Sequence, residues 1–171
     1  GSLTPNILTS SYGYLIGSAA QSYGLNVLKQ YDRHAIMINH AGRPYYVLFD
    51  ALDSAQPRTY TWSLFTKGWD AFSVDGNAVK GITSSQNGNL LKVNRNATTL
   101  YTQFVGNDKH QIDSDMFTIN SQSEGPYIHV SNLQKAQQYN FMAVMNTYTG
   151  EINIPASIFQ PTNVMSSGST G

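Results

Sequence analysis

The sequence predicts an all-β protein, an antiparallel β-sandwich of two large sheets in a supersandwich-like arrangement, on three observations. Apolar and polar residues alternate with period two through most of the chain, the pattern of strands buried on one face. Gly, Asn, Asp and Pro break that alternation at intervals the length of ordinary strands. Only 12% of the residues are charged against 40% hydrophobic, and eleven are Tyr, a bias that suits pleated surfaces better than helices. With 171 residues the chain is long enough to bury a core without metals or crosslinks.

Taken in order, a helical turn is expected at Gly17 to Ser22, then a strand at Tyr23 to Lys29. Arg33 to Asn39 and Tyr45 to Asp50 form a hairpin about His40-Ala-Gly-Arg-Pro44, where Gly can take positive φ and Pro sets the entry to the second strand. In Arg58 to Thr66, Tyr60, Trp62 and Leu64 are in phase, so Trp62 belongs to the core. Asp75-Gly76-Asn77 and Asn87-Gly88-Asn89 are tight-turn signals, and Asn-Gly between two strand-like runs is a strong hairpin cue. Asn89 to Arg95, Thr98 to Val105, Pro126 to Leu133 and Tyr139 to Thr147 complete a long antiparallel meander. A second short helix is expected at Pro155 to Phe159. Residues 1–2 read as an expression-tag remnant, 3–165 as the sandwich domain, and 166–171 as a flexible tail or linker.

Charge and cysteine usage narrow the functions. Ten Lys plus Arg balance ten Asp plus Glu, so no long-range field draws in nucleic acid or an anionic membrane. The absence of Cys removes thiol catalysis, thiolate metal sites and disulfides. No run of about 18 apolar residues is present for a helical membrane span, so no membrane insertion is expected.

The chemistry-bearing residues form no recognisable active site. His34, His40, His110 and His129 lack the close spacing of zinc ligands, so no metal is expected. His34 and His129 fall within strands and read as hydrogen-bonded structural residues, whereas His40 and His110 read as solvated turn residues. Asp50 and Asp53 are the nearest candidates for a carboxylate pair, but Asp50 ends an expected strand and reads as a turn cap. Asp113 and Asp115 share a strand face and could suit calcium if further oxygen ligands converged. No nucleophile elbow, phosphate-cradling loop or dinucleotide fingerprint occurs, so neither a catalytic residue nor a cofactor is assigned. Sugar rings stack on aromatic faces, and Trp69, following Lys67-Gly68 in an expected loop, is the candidate glycan contact. Asn96-Ala97-Thr98 matches an N-glycosylation sequon.

The stretch Tyr31-Asp-Arg-His-Ala-Ile-Met-Ile-Asn39, then Tyr45-Tyr-Val-Leu-Phe-Asp-Ala-Leu-Asp53, then Arg58-Thr-Tyr-Thr-Trp-Ser-Leu-Phe65 resembles the C-terminal β-sheet region of the heparinase II/III-like polysaccharide lyase family. Asn87-Gly-Asn-Leu-Leu-Lys-Val93 and Pro126-Tyr-Ile-His-Val130 are similar to later strands of that region. The resemblance implies a secreted, periplasmic or cell-surface parent. In it an N-terminal α/α-toroid precedes the β-sheets, and an acidic polysaccharide is cleaved by β-elimination. The family's toroid and its metal-binding His and Asp positions have no match here, and Phe65 stands where relatives often have His. The resemblance therefore carries over the fold and the glycan context but no catalytic residue. Three readings stay open: a non-catalytic β-domain supporting the toroid and the substrate cleft, a carbohydrate-binding module, or a non-enzymatic cell-surface or assembly domain. The second requires a row of exposed aromatics along one sheet face.

Overall fold

The computed structural model describes residues 2–24, 26–40, 43–106 and 108–149. In chain order these form β1 (Ser2–Leu8), β2 (Tyr12–Ser18), α1 (Ala20–Tyr23), β3 (Leu28–His40), β4 (Arg43–Arg58), β5 (Thr61–Phe65), β6 (Ala71–Val74) and β7 (Asn77–Val79). There follow β8 (Ser84–Gly88), β9 (Leu90–Arg95), β10 (Thr98–Phe104), β11 (His110–Ile119), β12 (Gln122–Asn132) and β13 (Ala136–Thr149). A nine-stranded sheet runs β1-β2-β3-β4-β13-β10-β9-β6-β7, and a four-stranded sheet runs β5-β12-β11-β8. Neighbouring strands pair antiparallel throughout, as in β3 with β4 and β11 with β12. The fold is the expected all-β sandwich.

Alternation builds the core. Ile128 and Val130 of β12, Ile112 of β11 and Trp62 of β5 point from the small sheet toward Leu91, Phe104, Phe141 and Ala143 of the large one. Trp62 meets Phe104 edge to face with ring centroids 5.3 Å apart. Full burial of each such aliphatic or phenyl side chain contributes about 1.5–3 kcal/mol. The small sheet is too narrow to cover the large one, so β2 and β3 keep most of their side chains half-exposed.

Several expectations change. Tyr23 to Lys29 is not one strand: Tyr23 closes α1, Gly24 turns the chain at φ +81°, and β3 begins at Leu28. The two turn signals separate. Asp75 and Gly76, at φ 49° and 81°, close the β6–β7 hairpin with Val74 opposite Asn77. At Asn87-Gly88-Asn89, by contrast, the chain leaves the small sheet for the large one, because β8 pairs with β11 and β9 with β10 and β6. Gly88 serves close approach there, since an added Cβ would collide with Val74 and Asp75. The hairpin expected about His40 to Pro44 does form, with His40 opposite Arg43 and Asn39 opposite Pro44.

Strands β1, β2, β6, β7, β8 and β11 were outside the expected set, for physical reasons. The inward positions of β11 are His110, Ile112 and Ser114, so two polar residues break the apolar period. Strand β2 is half-exposed on both faces and contains two glycines, which leaves little alternation to read. Ser2, assigned to a tag remnant, lies in β1 opposite Ser18. The helix expected at Pro155 to Phe159 and the tail at 166–171 lie outside the described residues.

Candidate functional site

Beside the start of β5, a cavity of about 320 Å³ opens between the margin of the small sheet and the inner face of the large one. Tyr23, Tyr31, Tyr60 and Phe141 supply its aromatic walls, and Asp50 and Arg58 its charged ones. Arg33 and Asp50 sit directly opposite on β3 and β4, equidistant from the turn that joins them. The guanidinium donates from Nε to Asp50 Oδ1 and from Nη2 to Oδ2, both at 2.6 Å. Asp50 is buried, so this bidentate pair replaces the hydration its carboxylate loses. It is mid-strand, not the turn cap expected.

The hydrogen bond to Asp50 pushes the Arg33 guanidinium pKa up, against the opposing effect of burial. Burial pushes the Tyr31 hydroxyl pKa up, with Arg33 opposing it. Arg58 lines the same cavity and has no carboxylate partner among the described residues. Tyr60 is anchored more firmly, its hydroxyl donating to the Gln137 carbonyl and its N–H to Asn132 Oδ1 at 2.6 Å. Its ring stacks on Tyr139 with centroids 6.3 Å apart.

The sequence-predicted residues do not gather at one place. Asp53, three positions from Asp50 along β4, faces the other way and accepts from Gln138 at 3.1 Å, so the two acids share no cleft. Asp113 and Asp115 do share a face of β11. Asp113 accepts from Gln111 at 2.9 Å, and Asp115 from Thr83 at 2.9 Å. The Met116 N–H and the Thr83 hydroxyl hold the Asp115 carboxyl below its usual range. No group of three or more potential metal ligands occurs among the described residues.

His110 is the largest correction among the histidines. It opens β11, is 4% exposed, and is not solvated. Nδ1 lies 2.7 Å from Asn89 Oδ1 and Nε2 lies 2.9 Å from the Tyr139 hydroxyl, so a neutral ring donates to the amide and accepts from the phenol. Burial lowers the His110 pKa, with Asp108 opposing, and burial raises that of Tyr139. A His–Tyr pair is chemically suited to proton transfer, yet here both imidazole nitrogens are committed and the ring is closed to solvent. His34 is hydrogen-bonded as expected, to the Tyr14 hydroxyl at 2.6 Å. His129 packs its ring against Tyr127, centroids 4.2 Å apart, and His40 ends β3.

Trp69 is half-buried. One part of the indole packs on Phe72, 5.3 Å between ring centroids, and another lines a cavity of about 430 Å³ with Lys67, Ile82, Glu124 and Gly125. Sequence reasoning missed the Arg33–Asp50 pair and Arg58. For the pair a signal existed, because placing the turn at His40 to Pro44 fixes the register that sets Arg33 against Asp50.

No family model matches the sequence, and no curated protein matches it. Solved structures do match. The chain is similar to the crystal structure of heparan sulfate lyase HepC from Pedobacter heparinus, with TM-score 0.59 and 13% identity over 88% of this chain and 22% of that one. The fold is heparinase-like. A HepC mutant gives TM-score 0.56 and 12% identity over the same shares of each chain. At such identity the likeness is one of fold, and the heparinase-like sandwich spans about 22% of the lyase's length. Among the described residues no helix is long and apolar enough to cross a membrane.

Proposed function

We propose that this chain is the β-domain of an extracytoplasmic polysaccharide-lyase-like protein, non-catalytic on its own, which supports an N-terminal helical toroid and completes its substrate cleft. The observation that carries this reading is the superposition of 88% of the chain on 22% of heparan sulfate lyase HepC. The cavity beside Tyr60 supports it, with aromatic faces for sugar rings and the Arg58 guanidinium, which has no carboxylate partner among the described residues, for an anionic substituent. Its volume falls in the range of small-molecule sites, about 300–1,000 Å³. Trp69 serves in this proposal as a second glycan contact. The committed nitrogens of His110 and the opposed faces of Asp50 and Asp53 support the non-catalytic role.

The test is to incubate the purified chain with heparan sulfate and other uronate-containing polysaccharides and follow the ultraviolet absorbance of an unsaturated uronate. The chain alone produces none, while Arg58→Ala weakens its binding of heparan sulfate oligosaccharides. Sustained β-elimination that Arg58→Ala or His110→Gln removes would refute the non-catalytic assignment.

A further inference from the structure

The outward face of the four-stranded sheet carries an aromatic surface on the side away from the cavity beside Tyr60. As Trp62 of β5 and Ile128 and Val130 of β12 turn into the core, Phe65, Tyr127 and His129 turn out. Register places Phe65 opposite Tyr127, Tyr127 opposite Asp115, and His129 between Ser63 and Asp113. Phe117 pairs with Gly125, whose missing side chain lets Phe65 and Phe117 meet across β12, ring centroids 5.2 Å apart. Phe65 also lies 6.3 Å from Tyr127 and 6.5 Å from His129, so the four rings form one continuous surface.

Exposure at this face is unusual. Phe65 is 58% and Phe117 37% exposed, and an apolar patch rimmed by polar side chains marks a binding surface. The rim decides for what. Strands β5, β8, β11 and β12 contain no Lys or Arg, and Asp113 and Asp115 of β11 lie on this outward face, a formal charge of −2 with His neutral, while Glu124 lines the cavity beside Trp69. Such a face repels sulfates and uronates. A second copy of the chain across a two-fold axis would set these carboxylates against each other, which disfavours self-association.

We propose that this face binds a neutral glycan chain. Phe65, Tyr127 and His129 stack on the apolar C–H faces of sugar rings, while Asp113 and Asp115 accept hydrogen bonds from the hydroxyls. The site is separate from the cavity beside Tyr60 and does not depend on whether a parent protein is a lyase.

The test titrates cellohexaose, xylohexaose and mannohexaose, with a heparan sulfate hexasaccharide as the charged comparator, into the chain by calorimetry and amide NMR. At least one neutral oligosaccharide shifts the amides of Phe65, Tyr127 and His129, and the sulfated one does not. Phe65→Ala, which removes a mostly exposed ring, and Tyr127→Ala each weaken that binding about tenfold, with circular dichroism unchanged. Four outcomes overturn the proposal: no neutral oligosaccharide bound at millimolar concentration, binding unaffected by both variants, equal binding of the sulfated oligosaccharide at these residues, or a dimer in size-exclusion chromatography that Phe65→Ala dissolves.

Discussion

Removing either partner of the Arg33–Asp50 pair should destabilise the protein, but not equally. The Asp50 side chain is 4% exposed, and Arg33 supplies both of its side-chain hydrogen bonds, whereas the Arg33 side chain is 38% exposed. Arg33→Ala therefore strips a mostly buried carboxylate of both its hydrogen bonds, and breaking a buried pair this way costs about 3–5 kcal/mol. In Asp50→Ala the guanidinium keeps access to solvent, so the loss is discounted to about 1–2 kcal/mol. For a chain of this size, 3 kcal/mol lowers Tm by roughly 6–12 °C. The double variant Arg33→Met/Asp50→Leu removes both charges while keeping apolar volume, and should recover most of the Arg33→Ala loss. Urea unfolding of the wild type, both single variants and the double variant gives the comparison directly. Equal losses in the two single variants, or a double variant as unstable as Arg33→Ala, would refute the burial argument.

Thr102 is 1% exposed and its hydroxyl has no hydrogen-bond partner among the described residues, so Thr102→Val should raise stability by about 1 kcal/mol in urea unfolding. Gly125 lies at φ +130°, and a Cβ there would press on the Thr66 carbonyl oxygen, so Gly125→Ala should cost about 2 kcal/mol or more, read as a lowered thermal midpoint. His110 has its pKa lowered by burial below the unfolded value of 6.5. Its folded form is penalised on protonation, so stability is full above 6.5 and declines as the pH falls from there toward the folded pKa. His110→Gln should flatten that decline. Asp75 acts in a separate window: hydrogen bonds from the Asn89 and Leu90 N–H groups and from Lys109 outweigh burial and hold its pKa below 3.8. Its contribution is present above 3.8 and lost as the pH falls through the folded value, so Asp75→Asn should lower stability above 3.8 and flatten the acid limb of a stability–pH profile.

Legibility in the sequence followed burial. Where one face of a strand is apolar and the other polar, as at Trp62 and Leu64 or Ile128 and Val130, the strand and its inward residues could be read directly. Where the inward face carries His110 and Ser114 the strand was invisible, because their cost of burial is met by Asn89, Tyr139 and Ser84 from distant parts of the chain. The candidate site behaved likewise. Trp69 stood out as a residue type and the expected turn at His40 to Pro44 already set Arg33 against Asp50, but the row from Phe65 to His129 became visible only once β5 and β12 were in register.

By itself the sequence determined that the chain is built of strands, which segments alternate, and that Asp75-Gly76 must turn tightly, because φ/ψ preference and apolar period act over a few residues. Only the tertiary structure decided which strands share a sheet. The Asn-Gly at 87–88 illustrates the division: its local chemistry permits a hairpin, yet β8 joins β11 and β9 joins β10. Pairing depends on which apolar faces cover one another, and those faces lie far apart along the chain.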